Sequence, residues 1–167
     1  MEAVETYLLE LFNVQTDYSE TGKKYLAFLC GDQLFGIHVS QVVQIIQVLP
    51  ITPLPNSIPH IKGVVNVRED MIPVVDLRLR LGKPETVYDS RTCIVIVTVR
   101  SRPLGLIVDA VNDIETICDA DIYELPKQGE SEMNYLTGIA KRESVILLLD
   151  TNFLLETEEL DSLLAPV

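Results

Sequence analysis

The chain has 167 residues, enough for one domain or two small modules, and 47% of them are hydrophobic, ample for a core. The net charge of −12 argues against nucleic acid or an anionic membrane as a partner, because each phosphate contact needs a Lys or Arg. Mean hydropathy is +0.24, yet no apolar run approaches the roughly 18 to 20 residues that span a bilayer.

Residues 1–22 read as an N-terminal extension. Val4, Tyr7, Leu8, Leu11 and Phe12 recur at intervals of three and four, the spacing of a short amphipathic helix up to about Phe12. Glu2, Glu5 and Glu10 stand where a secretory signal would be basic, so the expected location is the cytoplasm. Cys30, Cys93 and Cys118 are odd in number and lie in or beside apolar segments, as expected of buried thiols in a reducing compartment.

Residues 23–160 carry the domain, and 161–167 are expected to be a tail. Lys24 to Cys30 and Gln33 to Val39 predict a hairpin across Gly31-Asp32. Ser40 to Leu49 predicts a short helix, with Ser40 as N-cap, running into a strand from Gln44. Pro50, Pro53, Pro55 and Pro59 then impose a stiff, extended connection.

The stretch Ile61 to Leu81 organises the rest. Gly63 opens an apolar run, Asn66 to Asp70 interrupts it with polar residues, and Met71 to Leu77 restarts it, which reads as strand, exposed turn, strand. Gly63 implies a conformation or close approach that a side chain would block. Arg68 is then at a tip, where a guanidinium can make bidentate contacts with a partner carboxylate. An ordinary turn arginine paired with Glu69 or Asp70 fits the same pattern.

Downstream, Thr92 to Val99 is apolar on both faces and should be an interior strand. Arg100 to Pro103 predicts a turn, Leu104 to Val111 and Asn112 to Cys118 further strands, and Pro126 to Asn134 a polar loop. Tyr135 to Ile139 and Val145 to Leu149 complete the strands, and Asn152 to Leu164 predicts a closing amphipathic helix. About ten short strands with one or two helices make the fold mainly β, in barrels or a sandwich.

The second half repeats the first. Gly36 to Val39 with Val42 and Ile45 aligns without a gap on Gly105 to Val108 with Val111 and Ile114, and Gly63 to Asp76 aligns on Gly138 to Asp150. Two small barrels follow from the repeat.

Groups for catalysis are scarce. His38 alternates with apolar strand residues and His60 follows a proline, which gives both structural readings. No spacing of a zinc site, serine hydrolase, P-loop or dinucleotide binder occurs. Asp76, Asp109, Asp113 and Asp150 could be assembled into a carboxylate pair, but each fits a strand end or turn. A small enzyme using Asp109 and Asp113 is the rival from another class.

The ordered series Gly36-Ile37, Val42 to Ile45, Thr52 to Pro55, Ile61 to Arg68 and Ile72 to Leu77 resembles the CheW domain of bacterial chemotaxis. Gly105 to Val111, Tyr135 to Ile139, Ile146 to Asp150 and Leu154-Leu155 continue the likeness, which covers roughly Lys23 to Leu160. The resemblance implies two small five-stranded SH3-like β-barrels with short helices and an apolar groove between them. It implies a non-catalytic adaptor, without cofactor, that couples a chemoreceptor's cytoplasmic tip to the regulatory domain of the histidine kinase CheA within membrane-associated receptor arrays, with other CheW-like domains as further partners. Carried over by position, Val39, Val42 and Ile46 become groove residues, and Arg68, with Asn66, the exposed part of the family's N-L-R-G motif. The chain departs at Gln44, where many members have Glu, and at Glu69, where most have Gly. The first removes a charge that could pair with Arg68; the second places an acid where the turn usually needs glycine. A regulatory CheW-like protein of a second chemosensory system, competing for one partner, is the alternative.

Overall fold

In a computed structural model the chain is described for residues 22–55, 58–126, 134–155 and 159. Among the described residues there are eleven strands, β1 (Lys23–Cys30), β2 (Gln33–His38), β3 (Val42–Gln47), β4 (Ile61–Val67), β5 (Asp70–Asp76), β6 (Cys93–Val99), β7 (Arg102–Val108), β8 (Ala110–Ile117), β9 (Ile122–Glu124), β10 (Leu136–Lys141) and β11 (Val145–Leu149). A single α-helical turn, α1 (Leu77–Arg80), follows β5, and 3-10 turns cover Val39–Gln41, Asp119–Asp121 and Thr151–Phe153.

The strands form two sheets, one of six in the order β8-β1-β2-β11-β10-β9 and one of five in the order β3-β6-β7-β5-β4. The fold is mainly β, as expected, with six strands rather than five in one sheet. Both sheets follow one plan. In the first, β1 pairs antiparallel with β2 and β8, and β2 runs parallel to β11. In the second, β6 pairs antiparallel with β7 and β3, and β7 runs parallel to β5.

Each sheet also curls back on itself through one bent segment. The chain leaves β8 at one edge and, after the 3-10 turn, becomes β9 on β10 at the other edge. In the five-stranded sheet the proline-rich connection after β3 does the same, with Thr52 bridging Val64 of β4. Sharing one segment between two edges leaves few unpaired edge groups, as in small closed barrels.

The internal repeat is present, but its halves are exchanged. β1 and β2 of the first half join β8, β10 and β11 of the second, while β6 and β7 of the second join β3, β4 and β5 of the first. Thus neither half makes a barrel by itself. The Asp76 and Asp150 ends of the repeat do the same work: each accepts a bond from a backbone N–H of the helical turn that follows it, Leu79 and Asn152 respectively.

Three apolar clusters explain the burial. Tyr25, Ile117, Ala140, Ile146 and Leu148 fill the interior of the six-stranded sheet. Val65, Ile72, Val74, Ile94, Ile96 and Ile107 fill that of the five-stranded one. The largest lies where the two sheets meet, with Leu26, Phe28 and Ile37 from one side and Val75, Val95, Val97 and Leu106 from the other. β6 is therefore apolar on both faces because even and odd positions serve different clusters. Truncating the fully buried Phe28 to Ala would cost about 3–5 kcal/mol.

Several local expectations change. The helix predicted from Ser40 shrinks to the 3-10 turn Val39–Gln41, and its N-cap is His38, whose ring accepts the Ser40 N–H. The β-branched pair Val42-Val43 then favours a strand. Arg102 and Pro103 belong to β7 rather than to the turn, and β7 ends at Val108. Asp76 starts a helical turn that the sequence pattern is too short to show. Cys30 and Cys93 are buried, but Cys118 is exposed. Of the closing helix, Asn152 and Phe153 lie in the last 3-10 turn and Leu154 and Leu155 are buried; its further course, like the expected helix before Phe12, falls outside the described residues.

Candidate functional site: the hairpin tips of the five-stranded sheet

β4 and β5 pair from Ile61↔Val75, across a register shift before Gly63↔Val74, to Val67↔Asp70, leaving Arg68 and Glu69 as a two-residue turn. A tight turn between right-twisted strands requires positive φ, and here Arg68 supplies it at 61°. Glu69 has a negative φ, so the strain expected at Glu69 is carried by the arginine instead. Arg68 is exposed and its side chain makes no hydrogen bond or ion pair with any described residue, and the side chains of Glu69 and Asp70 make none either. The local pairing with these acids is thus not formed. Asn66, opposite Met71 across the hairpin, is exposed, and Met71 is 57% exposed.

Gly63 is fully explained by the backbone. Its φ is 144°, and a Cβ there would stand 2.0 Å from the Thr52 carbonyl oxygen. The close approach lets Thr52 and Val64 exchange backbone hydrogen bonds of 2.8 and 2.9 Å, which close the barrel.

β3 presents its residues differently from a simple alternation. A register shift between Val42 and Gln44 makes Val43 an extra residue, 57% exposed. Val39 and Val42, expected in a groove, are each 6% exposed and belong to the core between the sheets. Gln44 and Ile46 are half-buried, with Ile46 packed against the barrel interior. The accessible positions among those expected are therefore Asn66, Arg68, Gln44 and Ile46. Val43 and Met71 were not among them; Met71 could have been found by extending the tip one residue, whereas the bulge left no local signal.

The equivalent hairpin in the other sheet is arranged otherwise. Between β10 and β11 Arg142 begins the turn, its Nη1 donates to the Thr116 carbonyl oxygen, and its Nε lies 3.9 Å from Glu115. In the gapless alignment of the repeat Glu115 and Thr116 correspond to Ile46 and Gln47. The arginine at one tip is tied to its own sheet, and for the other Ile46 stands at the position of the tying acid.

The carboxylates that could have formed an active site are engaged as anchors. Asp109 accepts from Gly31 N at 2.8 Å and from Arg78 Nε at 2.9 and 3.0 Å, joining the β1–β2 turn of one sheet to α1 of the other. This hydrogen bond holds the Arg78 guanidinium above its ordinary value. Burial, aided by Asp109, pushes the Cys30 thiol up to about 12 and keeps it inert as a nucleophile. Asp76 accepts the Tyr88 hydroxyl at 2.8 Å, and burial together with that bond pushes the tyrosine pKa up. Asp150 accepts from Gln41 Nε2 at 3.1 Å, and Asp113 caps its own neighbour, Ile114 N, at 2.8 Å. Asp109 and Asp113 thus have separate structural tasks.

His38 packs edge-on to Tyr25, while His60 lies 2.8 Å from Glu159. An open hollow of about 580 Å3 lies beside the barrel closure, lined by Ile51, Pro53, Lys62, Glu85, Thr86, Val87 and Tyr88. Lys62 donates to Glu85 at 2.6 Å, which lowers the carboxyl's pKa. The hollow contains no cluster of reactive groups.

Comparison with known proteins completes the picture. Residues 24–159 match the CheW-like domain. The chemotaxis protein CheW of Rhizobium meliloti (strain 1021) is 33% identical over 149 residues, covering 88% of this chain and 96% of that protein. The chemotaxis protein CheW of Bacillus subtilis (strain 168) is 33% identical over 145 residues, with coverage of 86% and 93%. Among solved structures, the scaffolding protein TtCheW from Thermoanaerobacter tengcongensis superposes with a TM-score of 0.75 at 30% identity, over 82% of this chain and 94% of that one.

Proposed function

From the premise that the chain belongs to the CheW-like domain family, we propose that it is a chemotaxis scaffold that binds the cytoplasmic tip of a chemoreceptor and the regulatory domain of CheA together. The match in sequence and fold over residues 24–159 carries this reading. A scaffold of this kind works by holding two partners in fixed relation, which needs recognition surfaces on a rigid body and no reacting group. The shared core between the sheets and the Asp109 bridge supply the rigidity.

Arg68, Asn66, Gln44 and Ile46 are the positions from which this body grips a partner. Val39, Val42 and Gly63 act through the backbone and core that hold those positions. No described helix is long and apolar enough to cross a membrane. Placement in a receptor array, on this reading, comes from its partners.

Calorimetric titration with the CheA regulatory domain and a soluble receptor tip tests the reading. Binding of both without competition is expected. Binding of one partner alone would favour the competitor, for which the changed turn at Glu69 and the acidic N-terminal extension are the motive, and binding of neither would overturn the proposal.

A further inference from the structure

Two hairpin tips, not one, stand at the same end of the five-stranded sheet. β5 and β7 run parallel with Val74 beside Gly105 and Asp76 beside Ile107. Both strands begin at hairpin turns, Arg68-Glu69 before β5 and Arg100-Ser101 before β7. Counting back from the paired residues, Met71 and Arg102 each stand three positions before the ladder on neighbouring strands. The second turn is also held at positive φ, 48° at Arg100 and 67° at Ser101.

Like that of Arg68, the side chain of Arg102 is exposed and makes no hydrogen bond or ion pair with any described residue. This is unusual company in a chain of net charge −12. Elsewhere Arg78, Arg91 and Arg142 are within ion-pair distance of Asp109, Asp89 and Glu115. Glu69 and Asp70 are near in sequence and pair with neither exposed arginine, so both guanidinium groups keep their donors available.

We propose that the tips Val67–Asp70 and Val99–Arg102 form one docking site for an acidic, partly apolar segment of a partner protein. Arg68 and Arg102 each take a carboxylate, and the exposed Met71 between them covers an apolar side chain. Two separated guanidinium groups read the spacing of two carboxylates, which a single tip cannot do. The positive-φ backbones fix where the donors start, so less freedom is lost on binding. The site deepens the scaffold reading and rests on it for the partner's identity, but its chemistry can be tested separately.

The test uses the full chain with labelled arginine Nε, followed by NMR, and a synthetic helical peptide of leucines and glutamates paired at i,i+4. A matched peptide with glutamine in place of glutamate is the control. The Glu peptide should shift the Arg68 and Arg102 Nε signals together, with Arg68→Ala and Arg102→Ala each weakening it about three- to tenfold and Arg102→Lys restoring part of the loss. The Gln peptide should leave both signals in place. Absence of shifts, shifts at other arginines, or a double variant with wild-type affinity would overturn the site. Stronger Arg68-dependent binding to vesicles rich in phosphatidylserine would assign it to a membrane and overturn it as well. Calorimetry with the kinase domain and receptor tip separates the two readings: binding unaffected by either variant sinks the site alone, whereas no binding by the wild type sinks the scaffold reading.

Discussion

The internal repeat sets two hairpins of one design side by side, and they differ where a partner would touch them. At β10–β11 the tip arginine is held by Glu115 and the Thr116 carbonyl. At β4–β5 the corresponding strand offers Ile46 and Gln47, and Arg68 has nothing to hold among the described residues. One tip arginine is tied to its sheet, and the other stays exposed, as the proposed recognition role requires. The glycines behind them differ too: Gly63 is held at φ 144° with Thr52 against it, while a Cβ at Gly138 would meet Ile122 Cγ2 at 3.1 Å and the Tyr123 oxygen at 3.2 Å, with an ordinary φ.

That difference can be broken most forcefully at the glycines. Gly63→Ala should cost roughly 3 kcal/mol or more, since a backbone carbonyl cannot retreat without opening the barrel closure, and Gly138→Ala about 1. Urea unfolding of both measures the gap; equal losses would mean that the two closures are equivalent. Next in size, Arg78→Ala should cost about 1–2 kcal/mol, because it strips a partner from the half-buried Asp109. Thermal melting reads this, and no change would show that the bridge between the sheets adds nothing to the apolar core.

At the tips the effects are smaller and of opposite sign. Arg142→Ala should lower stability by up to about 1 kcal/mol, as expected of a partly exposed ion pair. Arg68→Gly should raise it by up to about 1 kcal/mol by relieving the φ of 61° while weakening partner binding, a separation that melting and calorimetry together would show. Loss of stability in Arg68→Gly would contradict the free tip.

A pH effect is the mildest. Burial, aided by Lys23, lowers the His38 pKa, so the folded state resists protonation while the unfolded chain does not. The resulting stability is full above the unfolded value of about 6.5 and is lost as pH falls through the lower folded value. Protonation would also remove the Nδ1 acceptor used by Ser40 N at 3.1 Å. His38→Gln should flatten stability below about pH 6.5, and an unchanged slope would place the titration elsewhere.

Much of this was legible in the residues. The turn at Arg68, the need for Gly63, the doubly apolar β6 and the repeat from Gly36 and Gly105 all follow from period, β-branching and glycine. The exchange of strands between halves was not, because pairing is decided by contacts far apart in sequence and local pattern is the same either way. Val39 and Val42 are groove candidates through resemblance, yet Val39 sits in the 3-10 turn and Val42 just before the bulge at Val43, and both are buried. A bulge shifts phase by one residue, and among consecutive valines that shift leaves no trace. Nor does spacing show that Glu115 has no acidic counterpart beside Arg68 until the two sheets are laid on one another.

The most direct test compares Arg68→Ala with Arg142→Ala, each measured for melting temperature and for affinity to the CheA regulatory domain and a soluble receptor tip. The account predicts that Arg68→Ala keeps its melting temperature within about two degrees and loses affinity for at least one partner about tenfold, while Arg142→Ala melts lower and binds as before. The reverse pattern, with Arg68→Ala destabilised and binding normally, would contradict the assignment of recognition to the unpaired tip.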